Sequence, residues 1–205
     1  MQVVLLLGFY LKELFVAMEK NLTPESSVNS SDRFTIRLVT HADLRQVAHV
    51  ARVTWDATYN QTIAPENRRE FLERSYRPEN LADAVDTPGH WFYVAELNQE
   101  VVGFGHFLQR YHRTQPRAEL VRLYVLPEHQ HEGIGSAILK TGFAALVQAD
   151  IKQCFVSVQA SNAAARKFYE GHSFTFHQNH GQFLGTQIVI MAEYIRPITA
   201  KDLDP

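Results

Sequence analysis

Residues 126–139 read LPEHQHEGIGSAIL, and this stretch decides the fold. It leaves the apolar run VRLYV at Pro127, crosses Gly133 and Gly135, and then enters residues with helical spacing. A strand, a glycine-bearing turn and a helix start therefore follow one another. A helix N-terminus carries backbone N–H groups without intrahelical partners, and its aligned peptide dipoles add partial positive charge. Glycine lets an anion approach such a backbone because no Cβ stands in the way. Gln130, His131, Glu132, Gly133, Ile134, Gly135 and Ser136 thus form a candidate backbone cradle for a phosphorylated ligand. For two glycines taken alone, a plain strand–turn–helix corner is the competing reading.

Three kinds of phosphate site can be compared with the stretch. A P-loop needs Gly-Lys-Ser/Thr after its glycines, whereas Gly135 is followed by Ser136 and Ala137. A dinucleotide fingerprint needs a third glycine where Ile138 stands, and it sits in the first βαβ unit of its domain. The third kind is a pyrophosphate held by backbone amides alone, as coenzyme A would be.

Outward from the turn, the segments alternate in period. FTIRLV (34–39) alternates as a strand, and Thr40 and Asp43 have capping-box spacing before a helix through Leu44, Val47, Ala48 and Ala51. Pro65 and Pro78 each suit a helix start, giving a loop and two short helices. WFYVAEL and EVVGFGHFLQRY flank Asn98–Gln99 as a hairpin. AELVRLYVL reads as a strand, SAILKTGFAALVQ as a helix, QCFVSVQ as a strand and NAAARKFYE as a helix. FTFHQ and TQIVIMAEYI close the chain as strands. The order predicts an α+β fold with a mixed sheet, antiparallel early and with crossover helices late.

A chain of 205 residues supports one domain with a sizeable core, and 45% apolar and 20% charged residues are ordinary for a globular protein. A net charge of −2 creates no field to draw nucleic acid or an anionic membrane, so neither is an expected partner. Cys154 is the only cysteine, which excludes an intramolecular disulfide and suits a reducing cytoplasm, the expected location. It lies in an apolar run as a small core residue. Ten histidines invite a metal site, but neither HQH at 129–131 nor HQNH at 177–180 has a convincing ligand constellation, and no metal is expected.

The apolar run in residues 1–20 is broken by Lys12 and Glu13, short of the about 20 residues that a spanning helix needs. It also lacks a charged leader region and a cleavage site. Residues 1–33 read as an N-terminal appendage and flexible linker, with Met18 as a second candidate start. Residues 34–198 read as one domain and 199–205 as a tail.

Gln130-x-x-Gly133-x-Gly135 after a strand resembles the acetyl-CoA motif of the GNAT N-acetyltransferases. Downstream, Asn162, Ala165, Phe168, Tyr169, Glu170 and Phe174 resemble that family's second motif, with Ser173 replacing a glycine. The segment from Ile63 and the ending His180, Phe183, Leu184, Gly185, Gln187, Ile190, Met191 resemble PaiA-type polyamine N-acetyltransferases, with Val189 where an acidic residue is often found. The likeness spans about residues 34–195. It implies a mostly antiparallel twisted sheet of six to seven strands with about four helices, acetyl-CoA as co-substrate, and often a homodimer.

It also implies roles for individual residues. Tyr169 stands where the family places a tyrosine beside the coenzyme A sulfur, as a general acid; core packing is the alternative. Leu123, Tyr124 and Val125 would pair the pantetheine amides through their backbone. Asn162 would bond the pantetheine or cap its helix. Arg166 would reach the nucleotide phosphates, unless it is a solvated helix charge. Glu119 stands at an acidic position as candidate base, with an ion pair at the strand end as its competing role. His106 is the alternative base. Trp55, Asp56 and Tyr59 would line an amine pocket, with aromatic core packing as the alternative. The expected reaction is acetyl transfer to a small amine or polyamine. A protein N-terminal or lysine acetyltransferase and a non-catalytic acetyl-CoA-binding regulator are the alternatives.

Overall fold

The computed structural model describes residues 34–112 and 115–203; the appendage and linker of residues 1–33 lie outside them. β1 (Thr35–Leu38) runs antiparallel to β2 (His90–Leu97), and β2 to β3 (Glu100–His112). Asn98 and Gln99 both take left-handed backbone, with φ 51° and 69°. That conformation gives the two-residue turn whose twist matches the strands it joins. β3 pairs antiparallel with β4 (Gln115–Val125).

Three helices lie between β1 and β2: α1 (Leu44–Tyr59), α2 (Pro65–Ser75) and α3 (Pro78–Asp86). The Thr40 backbone N–H and hydroxyl both donate to Asp43 Oδ2, at 2.8 and 2.7 Å, and start the single 3-10 turn that leads into α1. Arg37 donates to both Asp43 oxygens, so this buried carboxylate is paired. Pro65 and Pro78 occupy the first helical position, where the missing N–H costs nothing.

The second half of the sheet is built by crossover. α4 (Ile134–Gln148) carries the chain from β4 to β5 (Gln153–Gln159), and α5 (Ala163–Gly171) leads to β6 (Thr175–Leu184) and β7 (Gln187–Pro197). The seven strands lie in the order β1-β2-β3-β4-β5-β7-β6, and β4–β5 is the parallel pair. This is the expected mixed α+β architecture, with five α-helices among the described residues where about four were expected. Alternation along β2 sorts the two layers. Val94 packs with Val47 and Val50 of α1, whereas its neighbour Ala95 packs with Ile134 and Ile138 of α4.

Two boundaries differ from the sequence reading. β6 does not stop at Gln178 but runs to Leu184. It is an edge strand exposed along almost its whole length, so it shows no burial alternation, and HQNHGQ looks like loop. Within the stretch read as a tail, Ala200–Leu203 form a 3-10 turn, which the Arg196–Asp202 ion pair ties to β7.

The β6–β7 turn explains two sequence stretches at once. Gly185 has φ 58°, and a Cβ there would meet Asn67 Oδ1 at 2.2 Å. Buried Asn67 in turn accepts from the Thr186 N–H, while Gln187 donates to the Thr62 carbonyl at 2.9 Å. The segment from Ile63 and the chain ending therefore interlock.

Candidate active site

β4 and β5 pair at two positions only, Ala118 with Cys154 and Glu119 with Phe155. Just beyond, Phe107 faces Leu120 and His106 faces Arg122, which leaves Val121 as the extra residue of a bulge. A bulge bends and twists its strand. Past it β4 has no strand partner on the β5 side among the described residues, so a backbone edge from Val121 to Val125 is open. The resulting cleft encloses about 540 Å³. Its walls are Leu120–Val125 of β4 and Val156–Val158 of β5, with Asn162, Phe168 and Tyr169 around α5 and Thr54, Thr58 and Tyr59 from α1.

The glycine turn closes one end. His131 and Gly133 are both left-handed, with φ 67° and 86°. The first helical bond of α4 runs from the Ala137 N–H to the Gly133 carbonyl, so the amides of Ile134, Gly135 and Ser136 have no intrahelical acceptor. A Cβ on Gly133 would meet nothing within 4 Å, so the space beside this backbone is free for a ligand. Gly135 serves packing: a Cβ there would lie 3.2 Å from the Phe168 ring. Gln130 Nε2 donates to the Val125 carbonyl at 3.1 Å and ties the turn to β4. His172 Nδ1–H donates to the Phe168 carbonyl, so its Nε2 accepts from the Ser136 hydroxyl at 2.9 Å and joins α4 to the end of α5.

At the other end three tyrosines converge. Tyr169 lines the cleft and is otherwise buried, its ring edge-on to Phe168 and Phe174. Burial pushes its phenol well above the ordinary tyrosine value, with the nearby Tyr124 and Tyr59 hydroxyls adding to the effect. Tyr59 is raised likewise, first by burial. Asn162 caps α5 by accepting from the Ala165 N–H at 3.0 Å. The Tyr124 hydroxyl accepts from Trp55 Nε1 at 3.0 Å.

Leu123, Tyr124, Val125, Gln130, His131, Gly133–Ser136, Asn162, Tyr169 and Tyr59 therefore share one cleft. Six other candidates do not line it. Glu119 sits below the bulge, outside the cleft lining, and its carboxylate accepts from Arg110 Nε at 2.8 Å. Arg166 donates to the Tyr194 hydroxyl and the Ala160 carbonyl. Glu132 turns to His129. Trp55 is core, stacked on Phe71 at 4.3 Å. Asp56 lies on the outer face of α1 beside Arg68.

His106 is buried between β2 and β4. Arg122 Nη1 donates to its Nδ1, so its Nε2 carries the proton and donates to His90 Nδ1 at 2.9 Å. Desolvation, then the Arg122 charge, lowers it to about 3. The unfolded chain takes up this proton near pH 6.5 and the folded chain does not, so stability falls as pH drops below 6.5. Urea unfolding should show a loss of about 1–2 kcal/mol between pH 6.5 and 5. His106→Gln should flatten that slope, and an unchanged slope contradicts the assignment.

Thr54, Thr58 and Ser157 line the cleft and were missed in the sequence, and Phe168 of the second motif lines it too. Thr54 and Thr58 are four residues apart, hence on one helix face, and that spacing was the available signal. The Cys154 thiol, opposite Ala118 in the β4–β5 pairing, is buried in the core, as its apolar run predicted, and desolvation raises it. Among the described residues no three His, Cys, Asp or Glu side chains form a metal-ligand group, and no helix is long and apolar enough to cross a membrane.

The sequence profile of the acetyltransferase (GNAT) family matches residues 51–174. Spermidine N(1)-acetyltransferase of Thermoplasma acidophilum is 25% identical over 150 residues, covering 71% of this chain and 91% of that protein. The crystal structure of PaiA N-acetyltransferase from the same organism, in complex with coenzyme A, superposes with a TM-score of 0.68 at 24% identity, covering 78% of this chain and 97% of that one. The ribosomal-protein-S18-alanine N-acetyltransferase of Escherichia coli superposes at 0.60 and 18% identity, covering 81% and 94%.

Proposed function

Because this chain belongs to the GNAT acetyltransferase family and so takes acetyl-CoA as its donor, we propose that it acetylates a primary amine of a small molecule, a polyamine or another small amine, by direct transfer. The observation that carries this reading is the parting of β4 and β5 beyond Glu119, with Tyr169 at one end of the opening and the Gly133 turn at the other.

Acetyl-CoA supplies an activated thioester. The chain's part is to hold it, admit the amine and protonate the leaving sulfur. Leu123 to Val125 offer an open strand edge on which pantetheine amides can add as a further strand. The free amides of Ile134, Gly135 and Ser136, at a helix N-terminus, suit a pyrophosphate. Attack by the amine forms the C–N bond and breaks C–S; Tyr169 donates its phenolic proton toward the departing thiolate and regains one from solvent as the new amide gives up the amine proton. Tyr59, Thr54 and Thr58, which line the cleft from α1, are the residues this reading assigns to the acceptor. Among the described lining residues there is no carboxylate, so the amine proton leaves through solvent in this reading. Buried Cys154 fits a cytoplasmic location.

Release of coenzyme A from acetyl-CoA tests the reading, with spermidine, spermine, a short diamine, a monoamine, free lysine and an N-terminal peptide as acceptors. Stimulation by one or more small amines above the peptide is expected. Stimulation by the peptide alone would overturn the small-molecule acceptor, and acetyl-CoA binding without release to any acceptor would point to a regulator.

A further inference from the structure

On the far side of α1 from the donor cleft lies a second cavity of about 540 Å³, bounded by α1, α2 and the start of α3. It shares no lining residue with the first. Its apolar surface comes from Ala48, Leu72, Tyr76 and two prolines, and its charged groups are four arginines against Asp56 and Glu73. Two of the arginines are occupied. Arg68 donates to the Ile63 carbonyl at 2.8 Å and lies 3.4 Å from Asp56, while Arg77 donates to the Glu73 carbonyl. Arg52 and Arg69, on opposite helices, join no ion pair among the described residues.

A concave site with an excess of one charge concentrates ions of the other sign. Guanidinium forks suit phosphate and carboxylate oxygens in pairs, and an apolar wall between them suits a carbon skeleton. We propose that this cavity is a second binding site, for a small organic dianion: a phosphate monoester or a dicarboxylate with an apolar body. Arg52 and Arg69 are its anchors. Arg68, which also reaches the Tyr59 carbonyl at 3.4 Å, ties the cavity to the end of α1 that carries Tyr59.

The test titrates the full chain, saturated with coenzyme A so that the donor cleft is filled, at constant ionic strength. Phenyl phosphate and phthalate are the probes, and calorimetry is the readout. Saturable one-to-one binding of at least one probe is expected, and the probe preferred identifies phosphate or dicarboxylate as the ligand chemistry. Arg52→Ala/Arg69→Ala should weaken it more than tenfold with coenzyme A affinity and melting temperature unchanged, since both side chains are exposed. Amide NMR shifts should centre on Ala48 and Leu72. Unsaturable heats for both probes, equal affinity in the double variant, or shifts centred on Gly133 would each overturn the site. Coenzyme A affinity, read in the same samples, keeps this outcome separate from that of the donor cleft.

Discussion

Tyr169→Phe is expected to lower kcat by about 10²-fold while acetyl-CoA affinity changes less than about threefold, because general acid catalysis typically contributes that much or more. The ring belongs to the core, held edge-on by Phe168 and Phe174, and phenylalanine keeps that packing. Only the hydroxyl is lost. A hydrogen bond to a developing anion is worth about 1.5–3 kcal/mol, and more in a site with little water, so the predicted drop follows from one donor. Burial keeps the phenol protonated, so its hydroxyl is available as a hydrogen-bond donor to the developing thiolate. Steady-state kinetics and calorimetry on one preparation separate the two effects. Equal losses in kcat and in affinity would make Tyr169 a packing residue.

Gly133→Glu should weaken acetyl-CoA binding more than about 100-fold. Two causes act together. At φ 86° a residue with a Cβ carries strain on the order of 1–2 kcal/mol. The open space beside Gly133 would also receive a carboxylate where helix amides await an anion. Gly133→Asn separates the causes, because asparagine tolerates the left-handed region and carries no charge. Its loss should stay below about tenfold. Glutamate and asparagine variants with the same affinity would remove the charge argument, and wild-type affinity in the glutamate variant would remove the cradle.

Most of the sheet was legible because its signals are local. Alternation in FTIRLV and WFYVAEL, the Asn98–Gln99 turn, the prolines at 65 and 78 and the Thr40–Asp43 cap each appear where the sequence put them. β6 escaped because an exposed edge strand lacks a buried face. The two motifs proposed for the donor, the glycine turn and Asn162–Tyr169, could be paired from sequence because each is contiguous, and they fold onto one cleft. The proposed acceptor half was not legible. Whether Glu119 meets a substrate or Arg110 depends on which way one strand residue points beside a bulge, and no local pattern encodes that. Trp55 and Tyr59 lie one helical turn apart on α1, yet one stacks on Phe71 in the core and the other reaches the cleft. His106 suited a base by residue type, but Arg122 and His90 occupy both its nitrogens.

The most direct measurement is a crystal structure of the full chain with coenzyme A. Pantetheine along the backbone of Leu123 to Val125, pyrophosphate at Gln130 to Ser136 and sulfur beside the Tyr169 hydroxyl are predicted. Pantetheine bound away from the β4 edge, or sulfur remote from Tyr169, would contradict the account.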